Sequence, residues 1–277
     1  MINQADFFIE GEKLEKICSD FSSTKRTINS IDMNKVIFNK LFSQIRNTQQ
    51  KMSFETNSKR KLYEFLLTVL KFIKISLSVI IYKKRLIVES TGKINIWVLK
   101  RPGELRPSYV KEFNDYKKNN SSPDFISWGN KKNNILNCFK RLLQFYSYLK
   151  TCNTDIYTFN DALNNARLIL DAIDLSKDKL WENKPLAILS LKDFSGLENS
   201  IIQIANSKSI PTFTTQDSVH HFFKGKNFRE ANLVITNCVA SNILCWGEYL
   251  KNIIRYDNKI SCKISLILST EIQCYSV

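Results

Sequence analysis

Glycine and proline are scarce in this chain, which has seven glycines and five prolines among 277 residues. Because flexible linkers are rich in these residue types, long linkers between domains are not expected. Hydrophobic residues make up 43% of the chain and charged residues 24%, which are ordinary values for a globular protein and argue against extensive disorder. A chain of this length has room for one large domain or two smaller ones.

The cysteines lack any C-x-x-C spacing. Their number is odd, and they are scattered along the chain at Cys18, Cys138, Cys152, Cys238, Cys245, Cys262 and Cys274. This pattern predicts thiols in a reducing compartment and argues against a disulfide framework or a zinc site. We therefore expect no metal ion, and nothing in the sequence calls for a cofactor.

The sequence also lacks a secretory signal, because its first residues, "MINQADFFIEGEKLEK", are acidic and contain no long apolar run. Residues 65–82, "FLLTVLKFIKISLSVIIY", have the length of a membrane span, but they include Lys71 and Lys74. Each lysine would cost roughly 3 kcal/mol at the centre of a bilayer. Two interpretations stay open: an interfacial element between basic flanks, or, as the favoured one, a buried helix that runs into a strand. We expect a cytoplasmic protein, with peripheral contact at the inner face of the plasma membrane as the interfacial alternative.

Positive charge is concentrated in the first half of the chain. Residues 1–150 hold 28 basic and 13 acidic residues, whereas residues 151–277 hold 13 of each. The basic half could contact an anionic membrane surface or a nucleic acid, or its lysines could simply lie on solvated helix faces. The sequence has no arginine-rich run and no aromatic RNA-binding signature, so no nucleic-acid partner is expected.

Apolar spacing divides the chain into a helical and an α/β part. Residues 1–82 show apolar residues at three- and four-residue spacing and are predicted to be a mostly helical, basic region. Residues 83–268 alternate strand and helix patterns, which predicts a Rossmann-like α/β domain whose mainly parallel sheet has helices on both faces. Residues 269–277 are a short tail. Strands are predicted at 94–100, 124–129, 185–191, 209–215 and 231–237, and helices at 134–150, 159–175 and 195–208. Residues 241–255, "SNILCWGEYLKNIIR", are predicted to be a further strand that leads into a helix.

Three loops of the α/β part are candidates for a binding site. They follow predicted strands and comprise residues 192–195, 216–226 and 246–247. Because sheets of this kind bind ligands at the carboxyl ends of their strands, we expect these loops to lie together around a cleft. The second loop contains both histidines of the chain, His220 and His221.

The same loops carry a resemblance to a known family. The run "LKDFSGLENSIIQIANSKSIPTFTTQDSVHHFFKGKNFREANLVITNCVASNILCWGEYLKNI" resembles the N-terminal half of bacterial GT-B-type glycosyltransferases that build capsular and other surface polysaccharides. In that family an Asp-containing loop leads into a "LEN" helix, a strand ends in "TxQHG", and a later strand ends in "WGE". Here the corresponding pieces are Asp193, "LEN" at 197–199, "TQ" at 215–216 and "WGE" at 246–248. The resemblance covers about a quarter of the chain.

The resemblance implies transfer of a sugar from a nucleotide-sugar donor to a glycan or lipid-linked acceptor. Such a reaction needs a base for the acceptor hydroxyl, and the candidate catalytic residues are Asp193, His220 and His221. The family's loop histidine does not carry over by position, because Asp217 and Ser218 stand where the family has His-Gly. Contacts to the acceptor are expected from Gln216, Asp217, Ser218, Trp246 and Gly247.

The end of the sequence departs from the family. A GT-B enzyme has a second α/β domain that binds the donor nucleotide, and here "KISLILSTEIQCYSV" would begin as the first strand of that domain and then stop. We therefore expect an acceptor-side half whose donor site is largely missing, as in a truncated enzyme. The alternative is a non-catalytic protein that binds an anionic membrane surface through its basic N-terminal half.

Overall fold

The computed structural model describes residues 27–37, 58–89, 94–100, 123–152, 159–190, 196–215, 237–245 and 263–266. The helices are α1 (Ser58–Ile81), α2 (Ile135–Cys152), α3 (Phe159–Ser176) and α4 (Gly196–Ser207), with a 3-10 helix at Lys179–Asn183. Residues 33–37 are also helical. The strands are β1 (Thr27–Ile28), β2 (Ile31–Asp32), β3 (Tyr82–Glu89), β4 (Ile94–Leu99), β5 (Pro123–Lys132), β6 (Ala187–Ser190), β7 (Thr212–Thr215), β8 (Asn242–Cys245) and β9 (Lys263–Leu266).

Seven of these strands form one mixed, mostly parallel sheet in the order β3-β5-β4-β6-β7-β8-β9. Strands β4 to β9 run parallel to one another, and β3 pairs antiparallel with β5 at the edge. The predicted α/β class with a mainly parallel sheet and flanking helices is confirmed. Because the parallel strands share one direction, all six carboxyl ends lie at the same edge of the sheet.

Most of the predicted elements coincide with observed ones. The predicted strands at 94–100, 124–129, 185–191 and 209–215 contain β4, most of β5, β6 and β7, and the three predicted helices match α2, α3 and α4. The predicted strand at 231–237 lies outside the described residues except for Asn237, which is in a turn.

Residues 263–266 form β9, which pairs in parallel with β8 as the seventh strand of the sheet. This position is consistent with the predicted α/β domain at 83–268 and disagrees with the expectation that these residues begin the first strand of a second domain. A lone "KISL" pattern has the alternation of any strand, so only the pairing partner decides to which sheet it belongs.

The main core lies on one face of the sheet. Trp97 of β4, Ile126 of β5 and Ile188 of β6 are buried, and the register of the strands places all three on the same face. Trp97 packs on Trp181 of the 3-10 helix, with ring centroids 5.5 Å apart. Helix α3 packs between α2 and α4 over this face and buries Leu163 and eight further residues. The expectation of helices on the opposite face as well stays a prediction.

A buried ionic cluster joins the helices to the edge strand. Arg141 of α2 and Asp174 of α3 form an ion pair in which both side chains are almost fully buried. Asp171 lies one turn earlier on α3, and its Oδ2 is 3.8 Å from Arg167 Nε. Burial raises the pKa of Asp171 to about 6, against the opposing effect of the nearby Lys84 and Arg167 charges.

Residues 27–32 form a hairpin inside the segment predicted to be mostly helical. Asn29 and Ser30 both have positive φ, 50° and 66°, as the two central residues of a tight hairpin turn require. The hairpin is attached to α4, because Asp32 N–H donates to Gln203 Oε1 at 2.7 Å and Gln203 Nε2 donates to the Asp32 carbonyl at 3.1 Å.

The long apolar stretch at 65–82 is helix α1 running directly into β3. The order of the two elements matches the favoured interpretation of the sequence, which was a buried helix that runs into a strand. The helix is buried on one side only, through Ile75 and Val79, and its other side is exposed, so the prediction of a buried helix was wrong for that side. Among the residues that the structure describes, no helix has the length and apolar character needed to cross a membrane.

Candidate ligand-binding edge of the sheet

Three neighbouring strands end where the three candidate loops begin. β6 ends at Ser190, β7 at Thr215 and β8 at Cys245, and these strands are adjacent and parallel. Their registers align the ends, since Ser190 pairs with Thr214 and Thr215 pairs with Leu244. The predicted loops 192–195, 216–226 and 246–247 therefore depart from one short stretch of the sheet edge.

The predicted site residues themselves lie outside the described residues. This holds for the catalytic candidates Asp193, His220 and His221 and for the acceptor contacts Gln216, Asp217, Ser218, Trp246 and Gly247. Their roles stay predictions, whereas the strand ends from which their loops extend are described.

The strand order reverses between β4 and β6. From β4 the chain continues to β5 on one side of β4, and later strands β6, β7, β8 and β9 follow in sequence on the other side. In open α/β sheets the crevice outside the carboxyl ends at such a reversal is the usual ligand site. Here that crevice is bordered by Leu99 at the end of β4 and Ser190 at the end of β6. Of the three candidate loops, the one that contains Asp193 begins at this reversal point.

Lys100 follows β4 at the reversal point and was not singled out from the sequence. Its backbone N–H donates to the Ile126 carbonyl at 2.8 Å, which anchors it beside β5, and its ammonium lies 5.9 Å from the centre of the Phe125 ring. The ammonium therefore lies over β5, on the side of β4 away from β6. The strand order could not be read from the sequence, so the position of Lys100 relative to β6 could not be predicted.

Helix α4 is the crossover from β6 to β7, so its amino end lies at the carboxyl edge of the sheet. Its first residue, Gly196, has φ of 69°, a conformation that favours glycine. Glu198 in the first turn is 4% exposed, and a carboxylate there interacts favourably with the helix dipole. Ser195 stands three residues before Glu198, which is the sequence spacing of a capping box, and it lies outside the described residues.

Buried amides tie α4 to the segment that precedes β8. Asn199 Nδ2 donates to the Asn237 carbonyl at 3.3 Å, and Gln203 Nε2 donates to Asn199 Oδ1 at 2.7 Å. Asn237 Nδ2 in turn donates to the Lys35 carbonyl at 2.9 Å. Satisfied buried amides of this kind hold their neighbours in one arrangement, so the amino end of α4 is fixed relative to the turn at residue 237.

The amino ends of β7 and β8 are joined by a second polar cluster. Ser241 N–H donates to Thr212 Oγ1 at 2.8 Å, and Ser241 Oγ donates to the Thr212 carbonyl at 2.9 Å. Asn206, near the end of α4, accepts from Thr212 Oγ1 at 2.7 Å. These bonds fix the register of β7 against β8. The register in turn determines which residues of the two strands lie next to each other at their carboxyl ends.

The described residues contain no group of three or more histidine, cysteine, aspartate or glutamate side chains placed to hold a metal ion. At the carboxyl edge of the sheet, the described residues include strand ends, the amino end of α4 and Lys100. These groups suit an organic ligand with hydroxyl or anionic groups.

No protein-family model, no curated protein and no solved structure matches this chain.

Proposed function

We propose that this chain is the acceptor-side unit of a GT-B-type glycosyltransferase of bacterial surface polysaccharide synthesis. In this role it binds a glycan or lipid-linked acceptor at the carboxyl edge of β6, β7 and β8. A nucleotide-sugar donor supplies the transferred sugar and is bound mainly by another α/β unit.

One observation carries the proposal. The loops in which the sequence resembles this enzyme family all begin at the adjacent carboxyl ends of three parallel strands. The resemblance rests on sequence motifs alone and is independent of the strand pairing. The sequence resemblance and the strand pairing agree, and this agreement supports a common site for the three loops.

The strand order gives a ranking of the candidate bases. Asp193 follows β6, at the reversal point of the sheet, whereas His220 and His221 follow β7, one strand further away. We rank Asp193 first as the general base that accepts the proton of the acceptor hydroxyl. The histidines then serve as hydrogen-bonding groups or as a second proton carrier, since imidazole titrates near neutral pH.

Lys100 is suited to an anionic part of the ligands. It follows β4 on the other side of the reversal point from Asp193, and its ammonium would reach a diphosphate bound between them by turning away from the Phe125 ring of β5. An ammonium there stabilises negative charge that develops on the departing phosphate.

Calorimetry with two classes of probe tests the proposal. We expect the purified chain to bind an oligosaccharide fragment of a bacterial capsule, and to bind UDP-glucose only weakly. Micromolar binding of UDP-glucose would show that this sheet is a donor unit. Absence of binding across a panel of capsular oligosaccharides and a short-chain polyprenyl-diphosphate sugar would contradict the acceptor role.

A further inference from the structure

The side of α1 and α2 that faces away from the core is covered by large apolar side chains. On α1 these include Leu66, Leu70 and Leu77, of which Leu70 is 63% exposed. On α2 they are Ile135, Phe139 and Leu143, with Ile135 86% and Phe139 70% exposed. Within each helix the residues are spaced four or seven apart, so each set forms one stripe. We call these six residues the α1–α2 apolar face.

The two stripes lie on the same side of the helix pair. α1 and α2 are antiparallel neighbours, since Cys138 Sγ contacts the Ile80 carbonyl at 3.5 Å and the Phe72 and Tyr146 rings are 6.0 Å apart. The core-facing residues of both helices, such as Val79 and Phe145, point to the sheet side. The exposed stripes are therefore both on the outer side of this helix pair.

Positive charge borders this face and negative charge is nearly absent from it. α1 contains five basic residues and one acidic residue, and α2 contains three basic and no acidic residues. Of these, Lys74, Lys140 and Lys150 are exposed on the same helices as the stripes. An apolar stripe with lysines at its margin is the pattern of a helix that lies in a membrane interface.

We propose that the α1–α2 apolar face docks this protein on an anionic lipid bilayer. The apolar side chains enter the boundary between headgroups and acyl chains, and the lysines remain at the level of the lipid phosphates. Both helices lie along the surface, because Lys71 and Lys74 would be placed in the hydrocarbon if α1 crossed it. This inference does not depend on the proposed function and concerns a different surface from the edge at β6, β7 and β8.

Charge favours a lipid surface over a second copy of the chain. If two copies met through this face, two surfaces that carry basic residues and almost no acidic ones would come together, and their like charges would repel. Anionic headgroups neutralise the same basic residues, and each lysine held near such a surface strengthens binding about fivefold. The surface therefore matches an anionic bilayer in both its apolar and its charged parts.

Vesicle flotation tests the proposal. We expect the intact chain to float with vesicles of phosphatidylcholine and phosphatidylglycerol in equal parts, and much less with phosphatidylcholine alone. Ile135→Ser combined with Phe139→Ser should lower the partition coefficient about tenfold or more, because two exposed apolar side chains no longer enter the interface. Lys74→Gln combined with Lys140→Gln should lower it about 25-fold on the anionic vesicles only, since each lysine contributes about fivefold.

Leu186→Ser is the matched control. Leu186 is 67% exposed but precedes β6, outside the α1–α2 apolar face, so this variant should float like the original chain. An equal loss in Leu186→Ser, or no flotation of the original chain with anionic vesicles, would overturn the proposal. A dimer in light scattering that dissociates in the Ile135→Ser, Phe139→Ser variant would assign the face to a second copy and would also overturn it.

Discussion

The guanidinium of Arg141 and the carboxylate of Asp174 form a bidentate ion pair that holds α2 against α3. Each partner makes a further bond to a different element. Arg141 Nε donates to the Val79 carbonyl of α1 at 2.7 Å, and Asp174 Oδ2 accepts from the Lys84 N–H of β3 at 2.9 Å. One ion pair thus connects three helices and the edge strand.

Removing one partner of this pair should be far more damaging than removing both. Arg141→Met leaves the Asp174 carboxylate buried without its counter-charge, and we expect a loss of about 3–5 kcal/mol in the free energy of unfolding. The double variant Arg141→Met, Asp174→Asn removes both charges while keeping an acceptor for the Lys84 N–H. Urea unfolding should find it more stable than Arg141→Met alone. A loss under about 1 kcal/mol in the single variant would contradict a structural role for the pair.

Asp171 should make the fold more stable in mild acid. Its folded-state pKa is raised to about 6, whereas its unfolded pKa is near 3.8. The unfolded chain therefore releases the Asp171 proton more readily, and the folded state loses stability through this group as the pH rises from about 4 to 7. The loss is on the order of 2–3 kcal/mol at pH 7.

Substitution of Asp171 isolates this contribution. Asp171→Asn should raise the free energy of unfolding by the full amount at pH 7 and by only about 1 kcal/mol at pH 4.5, as measured by urea unfolding at both values. Glu182→Gln removes one negative charge from an exposed side chain and serves as the control for net charge. An Asp171→Asn variant that is less stable than the original chain at pH 7 would show that the Arg167 contact outweighs burial.

Gly196 should resist replacement because of its backbone conformation alone. Its φ is 69°, and a Cβ built at this position meets nothing nearer than Glu198 Oε2 at 3.9 Å. Gly196→Ala should therefore cost about 1–2 kcal/mol through strain without a steric clash. Gly196→Asn should cost less, because asparagine tolerates this region better. Thermal unfolding of both variants should give the original chain the highest stability, Gly196→Asn an intermediate one and Gly196→Ala the lowest. An alanine variant as stable as the original chain would show that the backbone adopts another conformation at residue 196.

Local elements were predictable from the sequence because their signals are local. The β-branched run at 94–100 and the apolar spacing of α2 and α3 identified a strand and two helices within a few residues of their observed ends. The parallel direction of the sheet followed from the alternation of strands and helices.

Pairing between distant strands was not predictable in the same way. The position of β5 between β3 and β4, and of β9 beside β8, depends on long-range contacts that leave no periodic pattern. The importance of Lys100 follows only from that order. Likewise, the apolar spacing of α1 and α2 predicted helices but not which side of each helix is exposed. Spacing alone does not distinguish an apolar side that packs in the core from one that faces solvent.

The central claim, that a glycan binds at the carboxyl ends of β6, β7 and β8, can be tested by hydrogen exchange with and without a bound capsular oligosaccharide. The claim predicts slower amide exchange in peptides that contain residues 191–195, 216–221 and 246–247. It also predicts that Trp246→Ala, which removes an expected contact to the acceptor, abolishes this protection, while Leu186→Ser, at the opposite end of β6, retains it. Protection confined to α1 and α2, or none at the three strand ends, would contradict the claim.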